Sequence, residues 1–195
     1  MFESFFKPKN RTKNWQRPDD LQLVFDLEAG SLNGVRLGDS LEAVSFLGPA
    51  EDRSGLKYQE YNYFSLGLCV CCGDDENTID GFDVIQKDRW SPQERPYPGQ
   101  FRYQGANHPI AQLTESNFVN DFGSPYWRDQ DKDEIILFYE FPTVEWQVEF
   151  NLDGSFNRII ITSSPMFADE NSRKAYGVTK HWPPTNADHS EDGRD

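Results

Sequence analysis

No stretch of this sequence approaches the roughly 18 consecutive apolar residues that a membrane-crossing helix needs, and none of the common catalytic signatures occurs in it. There is no Gly-x-Ser-x-Gly, no His-Glu-x-x-His, no phosphate loop and no dinucleotide fingerprint. The start, MFESFFKPKNRTKNW, places apolar residues before basic ones, the reverse of the secretory order, so no signal peptide is expected. Only three cysteines are present, an odd count clustered at Cys69, Cys71 and Cys72. Neighbours along one strand make poor disulfide partners, so a reducing, cytoplasmic setting is expected. Positive charge is also scarce: 19 Lys and Arg stand against 33 Asp and Glu, a formal net charge of -14. So acidic a chain is repelled by nucleic acid and by anionic membranes, and suits a basic partner.

What is abundant is aromatic. Fifteen Phe, eight Tyr and five Trp make 14% of the chain, enough large rings to build a packed core and to exclude a disordered chain. The charge is uneven. Residues 1–18 carry Lys7, Lys9, Arg11, Lys13 and Arg17 against Glu3 alone. Residues 1–20 therefore read as a basic N-terminal arm, with Phe2, Phe5 and Phe6 able to dock it on the body.

Residues 21–87 read as a first α/β unit. Leu21, Leu23, Phe25 and Leu27 alternate with other residues at the strand period of two. Asp39 or Ser40 can cap a helix carrying Leu41, Val44 and Leu47, which Gly48-Pro49 ends. Three strands are expected next: Tyr58 to Phe64, Leu66 to Cys72, and one containing Phe82 to Ile85. Residues 88–109, rich in Pro, Gly and Arg, read as a connecting loop. Residues 110–165 then begin again as a second α/β unit. Thr114 caps a helix with Phe118 and Phe122 one turn apart, Gly123-Ser124-Pro125 stops it, and three strands follow, with Asp-Gly in NLDGS at a hairpin turn. Aligning Gly48 with Gly123 sets GLCVCC against PTVEWQ. Residues 166–195 read as a polar C-terminal tail. The fold expected is α+β, with two tandem units, each a short helical segment packed on an antiparallel β-meander.

The stretch VRLGDSLEAVSFLGP, Val35 to Pro49, resembles the signature of the BamE-like and beta-lactamase-inhibitor-protein-like group. There a Gly-x-Ser start opens a short helix, which ends in Leu-Gly-Pro before an antiparallel sheet. The resemblance covers about fifteen residues of the first half and is loose in the second. It implies tandem helix-plus-sheet repeats whose sheets form a concave binding face, in proteins that mostly bind or scaffold.

The cysteine stretch admits a metal site, a redox centre or a buried strand. Cys69 and Cys71 fall on one strand face, and Leu68, Val70 and Cys72 on the other. Cys-x-Cys-Cys is not the usual zinc spacing, and His108, His181 and His189 are the only histidines, so no metal and no cofactor is expected. Asp129, Asp131 and Asp133 match positions one, three and five of a calcium loop, but Glu134 stands where Gly is required, so a solvated acidic turn is expected. Aromatics beside charges are the residues expected to contact a partner: Trp90, Tyr97 and Tyr103 in the loop, and Tyr126 and Trp127 beside Asp129, Asp131 and Asp133. Glu145 and Glu149, on the polar face of their strand, complete the set.

The function this leads to is a non-catalytic protein-binding module: an acidic cytoplasmic inhibitor or immunity-type protein for a basic protein partner, with no nucleic acid and no membrane span. Two alternatives stand beside it. One is a small-ligand-binding protein or hydrolase-type enzyme using the acidic loops. The other is a structural subunit of an assembly, joined through the apolar strand Leu66 to Cys72.

Overall fold

Alternating apolar residues in an otherwise polar chain favour strands with one dry face, and the chain uses them to build two sheets. The computed structural model describes residues 11–54, 59–86, 95–141 and 144–178. Its strands in chain order are β1 (Val24–Asp26), β2 (Ser31–Leu32), β3 (Val35–Arg36), β4 (Asp52–Ser54), β5 (Gln59–Tyr63), β6 (Leu68–Cys72) and β7 (Ile79–Ile85). After these come β8 (Gln100–Tyr103), β9 (Ala106–Pro109), β10 (Trp127–Gln130), β11 (Glu134–Glu140), β12 (Glu145–Asn151) and β13 (Phe156–Thr162). Among the described residues, two α-helices, α1 (Glu115–Phe122) and α2 (Glu170–Ala175), and short 3-10 segments accompany them. The architecture is α+β and sheet-rich.

The long sheet has eight strands in the order β10-β11-β12-β13-β7-β6-β5-β4, every neighbour antiparallel. The short sheet runs β3-β2-β1-β8-β9, and only its β1·β8 pair is parallel. The core lies between one face of the long sheet and the short sheet with the helical segments. Phe25 meets Phe82 edge-on, Phe101 meets Phe156, and Tyr103 meets Trp146. From α1, Phe118 packs on Tyr139 and Phe150, and Phe122 on Trp146.

Several sequence expectations are corrected. The connecting loop carries the β8–β9 hairpin, because Gln104-Gly105 supplies the positive-φ turn that reverses the chain. Each run of strands in the long sheet is four long, since β4 and β10 precede the expected three. The strand expected over Leu21 to Glu28 is only Val24–Asp26. The first helical segment, Leu41–Leu47, is 3-10, and the Ser40 side chain does not cap it. Asp39 instead accepts from the Arg36 amide, closing the preceding turn. Thr114 does cap α1, in a reciprocal box with Asn117.

Both ends of the described chain are tied down. The arm is held on the body through Thr12, whose hydroxyl accepts from the Ala50 amide, and Arg17, which donates to Leu47 O and Ser65 Oγ. Phe2, Phe5 and Phe6 lie outside the described residues. The segment expected to begin a polar tail folds onto the sheet: Phe167, Arg173 and Val178 are buried. Asp169 caps α2 by accepting from the Asn171 and Ser172 amides. Residues 179–195 lie outside the described residues.

Candidate functional site

The core takes only one face of the long sheet, so the residues of opposite parity line a second face. Register identifies them without ambiguity. Trp146, Val148 and Phe150 of β12 point to the core, which sends Glu145, Gln147 and Glu149 to the second face. Cross-strand partners share a face. The second face therefore collects Trp127 and Asp129 of β10, Ile136, Phe138 and Glu140 of β11, and Arg158, Ile160 and Thr162 of β13. Across the β13·β7 seam it continues through Gly81 and Asp83 to Cys69 and Cys71 of β6, and then to Glu60 and Asn62 of β5.

At the β10–β12 end this face is covered by residues 166–178. Glu140 and Glu145 are directly opposed across β11 and β12. Arg173 reaches in from α2 and ion-pairs with Glu140, the side chains being 3% and 2% exposed. It also donates from Nε to Phe167 O at 2.6 Å, and its guanidinium lies 5.8 Å from the centre of the Tyr126 ring. Glu145, fully buried, accepts from Tyr126 Oη at 2.9 Å, Gln147 Nε2 at 3.0 Å and Met166 N at 3.0 Å. Burial pushes the Glu145 carboxyl above the usual carboxylate range, against the hydrogen bonds, with neighbouring Glu140 adding to the rise. Burial and then Glu145 likewise push the Tyr126 phenol upward. Trp127 stacks on Phe138 and meets Phe167 and Tyr176 edge-on, so aromatic contact and a buried ion pair hold this segment together.

Near the middle of the face, Arg158 donates from Nε to Asp83 Oδ1 at 3.2 Å and from Nη2 to Oδ2, while Nε stands 3.8 Å from Glu149 Oε2. The Arg158 side chain is 29% exposed, and its two carboxylate partners are more deeply set. Beyond it lie Cys69 and Cys71, with Sγ atoms 4.0 Å apart. Cys72 points into the core. The repeat alignment that sets GLCVCC against PTVEWQ would put Cys69 and Cys71 in phase with Val144 and Trp146, on the core face. The register puts them in phase with Gln147 instead. The phase already differs in β5, where core-facing Tyr61 falls on Ile136 of the second face, so the slip precedes β5, and a one-residue slip exchanges faces.

The expected contact residues thus divide. Tyr126, Trp127, Asp129, Glu145 and Glu149 come together at the β10–β12 side of the molecule. Asp129, Asp131 and Asp133 are exposed, at the end of edge strand β10 and in its turn, where Asp131 Oδ1 accepts from the Asp133 and Glu134 amides. Tyr97 is 3% exposed, stacked on Phe101, and belongs to the core rather than to a contact surface. Tyr103 is half-buried between Phe122 and Trp146. Glu145 is fully buried, and Trp90 lies outside the described residues.

Arg158, Asp83, Glu140 and Arg173 went unmarked in the sequence. Asp83 and Arg158 are 75 residues apart, and nothing local announces their pairing. Their one signal is a charged residue in a strand that is mostly apolar.

His108 Nδ1 pairs with Asp121 Oδ2 at 3.3 Å, on the short-sheet side of the molecule, away from Glu140 and Glu145. Among the described residues no three His, Cys, Asp or Glu side chains form a metal-binding group, and no helix is long and apolar enough to cross a membrane.

No family model matches this chain, and no curated protein does. Among solved structures it is similar to a DUF4309 family protein, YjgB, from Bacillus subtilis. The likeness has a TM-score of 0.44 at 13% identity and covers 64% of this chain and 78% of that one.

Proposed function

We propose that the protein is a non-catalytic binding module of the inhibitor or immunity type, which engages a basic protein through its acidic β10–β11 side. The observation that carries this reading is the exposed run Asp129, Asp131 and Asp133 on and beside an edge strand whose base is fixed by Trp127. Charges there are exposed and close together, the arrangement that steers a basic partner and raises its association rate. The separation of His108 from the Glu140–Glu145 pair supports binding over hydrolysis. The burial of Leu66, Leu68 and Val70 in the protein's own core supports this reading over that of an assembly subunit joined through that strand.

The tandem arrangement is part of the same proposal. Strands β4–β7 form one antiparallel run and β10–β13 another, each preceded by a short helical segment, and the last strands of the two runs pair with each other. Both helical segments end at a glycine of positive φ, Gly48 and Gly123, whose amide closes the last turn. These features, and the resemblance of Val35 to Pro49, support the reading of two related units forming one binding sheet.

The test is affinity capture of the tagged chain at low and high salt, followed by binding kinetics with the recovered protein. The expected partner is basic. Its association should slow at least about tenfold between low and physiological salt. Replacing Asp129, Asp131 and Asp133 together by Asn should slow association at low salt with little change in dissociation. A partner whose association ignores both salt and the triple substitution would overturn the proposal.

A further inference from the structure

The two sulfurs on the second face form a defined pair. Cys69 and Cys71 are two residues apart on β6, so both side chains stand on one side of the strand. Gly81 is the cross-strand partner of Cys71 and places no side chain beside it. A Cβ built there would lie 3.4 Å from Cys71 Cβ and 3.9 Å from its Sγ. Cys69 is 5% exposed and Cys71 is half-buried, so the pair is approached from the Cys71 side. Asp83 lies opposite Cys69 and Glu60 opposite Cys71.

Geometry separates the uses such a pair could have. Residues two apart on a strand have Cα atoms about 6.7 Å apart, at the far limit for a disulfide, which favours about 5.5–6 Å. A bond between them would be strained and easily reduced, which argues against a structural disulfide. A nucleophilic thiol is also disfavoured at Cys69, which is 5% exposed and closed to an incoming substrate. Chelation fits. Thiolate–metal bonds are about 2.3 Å long, so two sulfurs on a two-coordinate ion stand about 4.6 Å apart, which the pair reaches by small side-chain rotations. The observed separation is 4.0 Å. Zinc would need further protein ligands, and among the described residues none converge.

We propose that Cys69 and Cys71 are a chelating dithiol for soft, thiophilic ions of low coordination number, with Cu(I) as the metal class. On binding, two S–Cu bonds form, two S–H bonds break, and both protons leave to solvent. Cys72 takes no part, because its thiol lies on the core face, where burial pushes it up to about 12.

The experiment is an anaerobic titration of the reduced full chain with Cu(I) against a coloured Cu(I) chelator. A parallel intact-mass measurement uses phenylarsine oxide, which joins two thiols with loss of one water. The expected result is one Cu(I) and one arsenical adduct per chain. Cys71→Ser should weaken Cu(I) binding at least about 100-fold by removing chelation, and Cys72→Ser should leave it unchanged. Cys71 is the half-exposed member, so this variant folds; its melting curve against wild type verifies that. Cys69→Ala should act like Cys71→Ser. Failure of the wild type to compete for Cu(I), wild-type affinity in Cys71→Ser, or an equal loss in Cys72→Ser would each overturn the proposal.

Discussion

At the scale of single residues, the decisive feature is how differently the same residue type behaves at two places on one sheet face. Glu145 and Glu149 share a strand and a face, yet Glu145 is sealed beneath residues 166–178 while Glu149 borders Arg158. Desolvation raises the Glu145 carboxyl, so the native state holds its proton more tightly than the unfolded chain. A raised carboxyl contributes stability that is present below the unfolded value, near 4.5, and is lost as pH rises through the folded value. Glu145→Gln should therefore flatten the wild type's loss of stability between mildly acidic and alkaline pH. Urea unfolding of both proteins across that range tests this. A variant less stable than wild type by more than about 1 kcal/mol at pH 8 would show that the charged form is the favoured one. Gly67 is a second residue whose chemistry is set by place. Its φ is +52°, and an added Cβ would stand 2.3 Å from Arg95 O and 2.5 Å from Tyr97 N. Backbone atoms cannot move aside there, so Gly67→Ala should cost about 3 kcal/mol or more, read as a shift in the urea midpoint.

At the scale of elements, residues 166–178 matter most. A polar composition marks them as tail, but three contacts hold them down: Arg173 on Glu140, Phe167 among Trp127 and Phe138, and Met166 N on Glu145. Helix α2 has six residues, too few to be stable alone, so its order depends on docking. Removing one member of a buried ion pair leaves the other charge stranded, at a cost of about 3–5 kcal/mol. Detachment of so short a segment is the easier escape. Arg173→Met should therefore release the segment without unfolding the body. Limited chymotrypsin digestion should then cut near Phe167 and Tyr176 much faster than in wild type, with the urea midpoint of the body lowered only modestly. Cleavage at the wild-type rate would show that the aromatic contacts suffice. The double variant Glu140→Gln, Arg173→Met should recover part of the protection, since no charge remains buried and unpaired.

At the scale of the whole molecule, net charge and strand order set what the protein can meet. A net charge of -14 predicts repulsion from polyanions, and the exposed acids at the β10–β11 turn predict salt-sensitive capture of a basic partner. Much of this was determined locally. The alternation of β12, the Thr114 cap, the Gly stops at 48 and 123 and the NLDGS turn are short-range signals, because capping and turn chemistry act within a few residues. The β8–β9 hairpin was hidden by prolines and arginines. β1 took fewer residues than its pattern offered, because pairing partners, rather than propensity, end a strand. The site was less legible than the fold. Sequence marked Trp127 and the three aspartates but not Arg158, Asp83, Glu140 or Arg173, whose partners lie 33 to 75 residues away. It put Tyr97 at a surface when its ring belongs to the core. The sequence by itself determined the acidic charge, the sheet-rich α+β class and the turns that punctuate it, because each depends on composition or on neighbours in the chain. Only the tertiary structure decided which strand face met the core, that β7 and β13 would join the two runs of strands, and that the cysteine pair would stand on the polar face. Those outcomes turn on register, and register is fixed by partners distant in sequence.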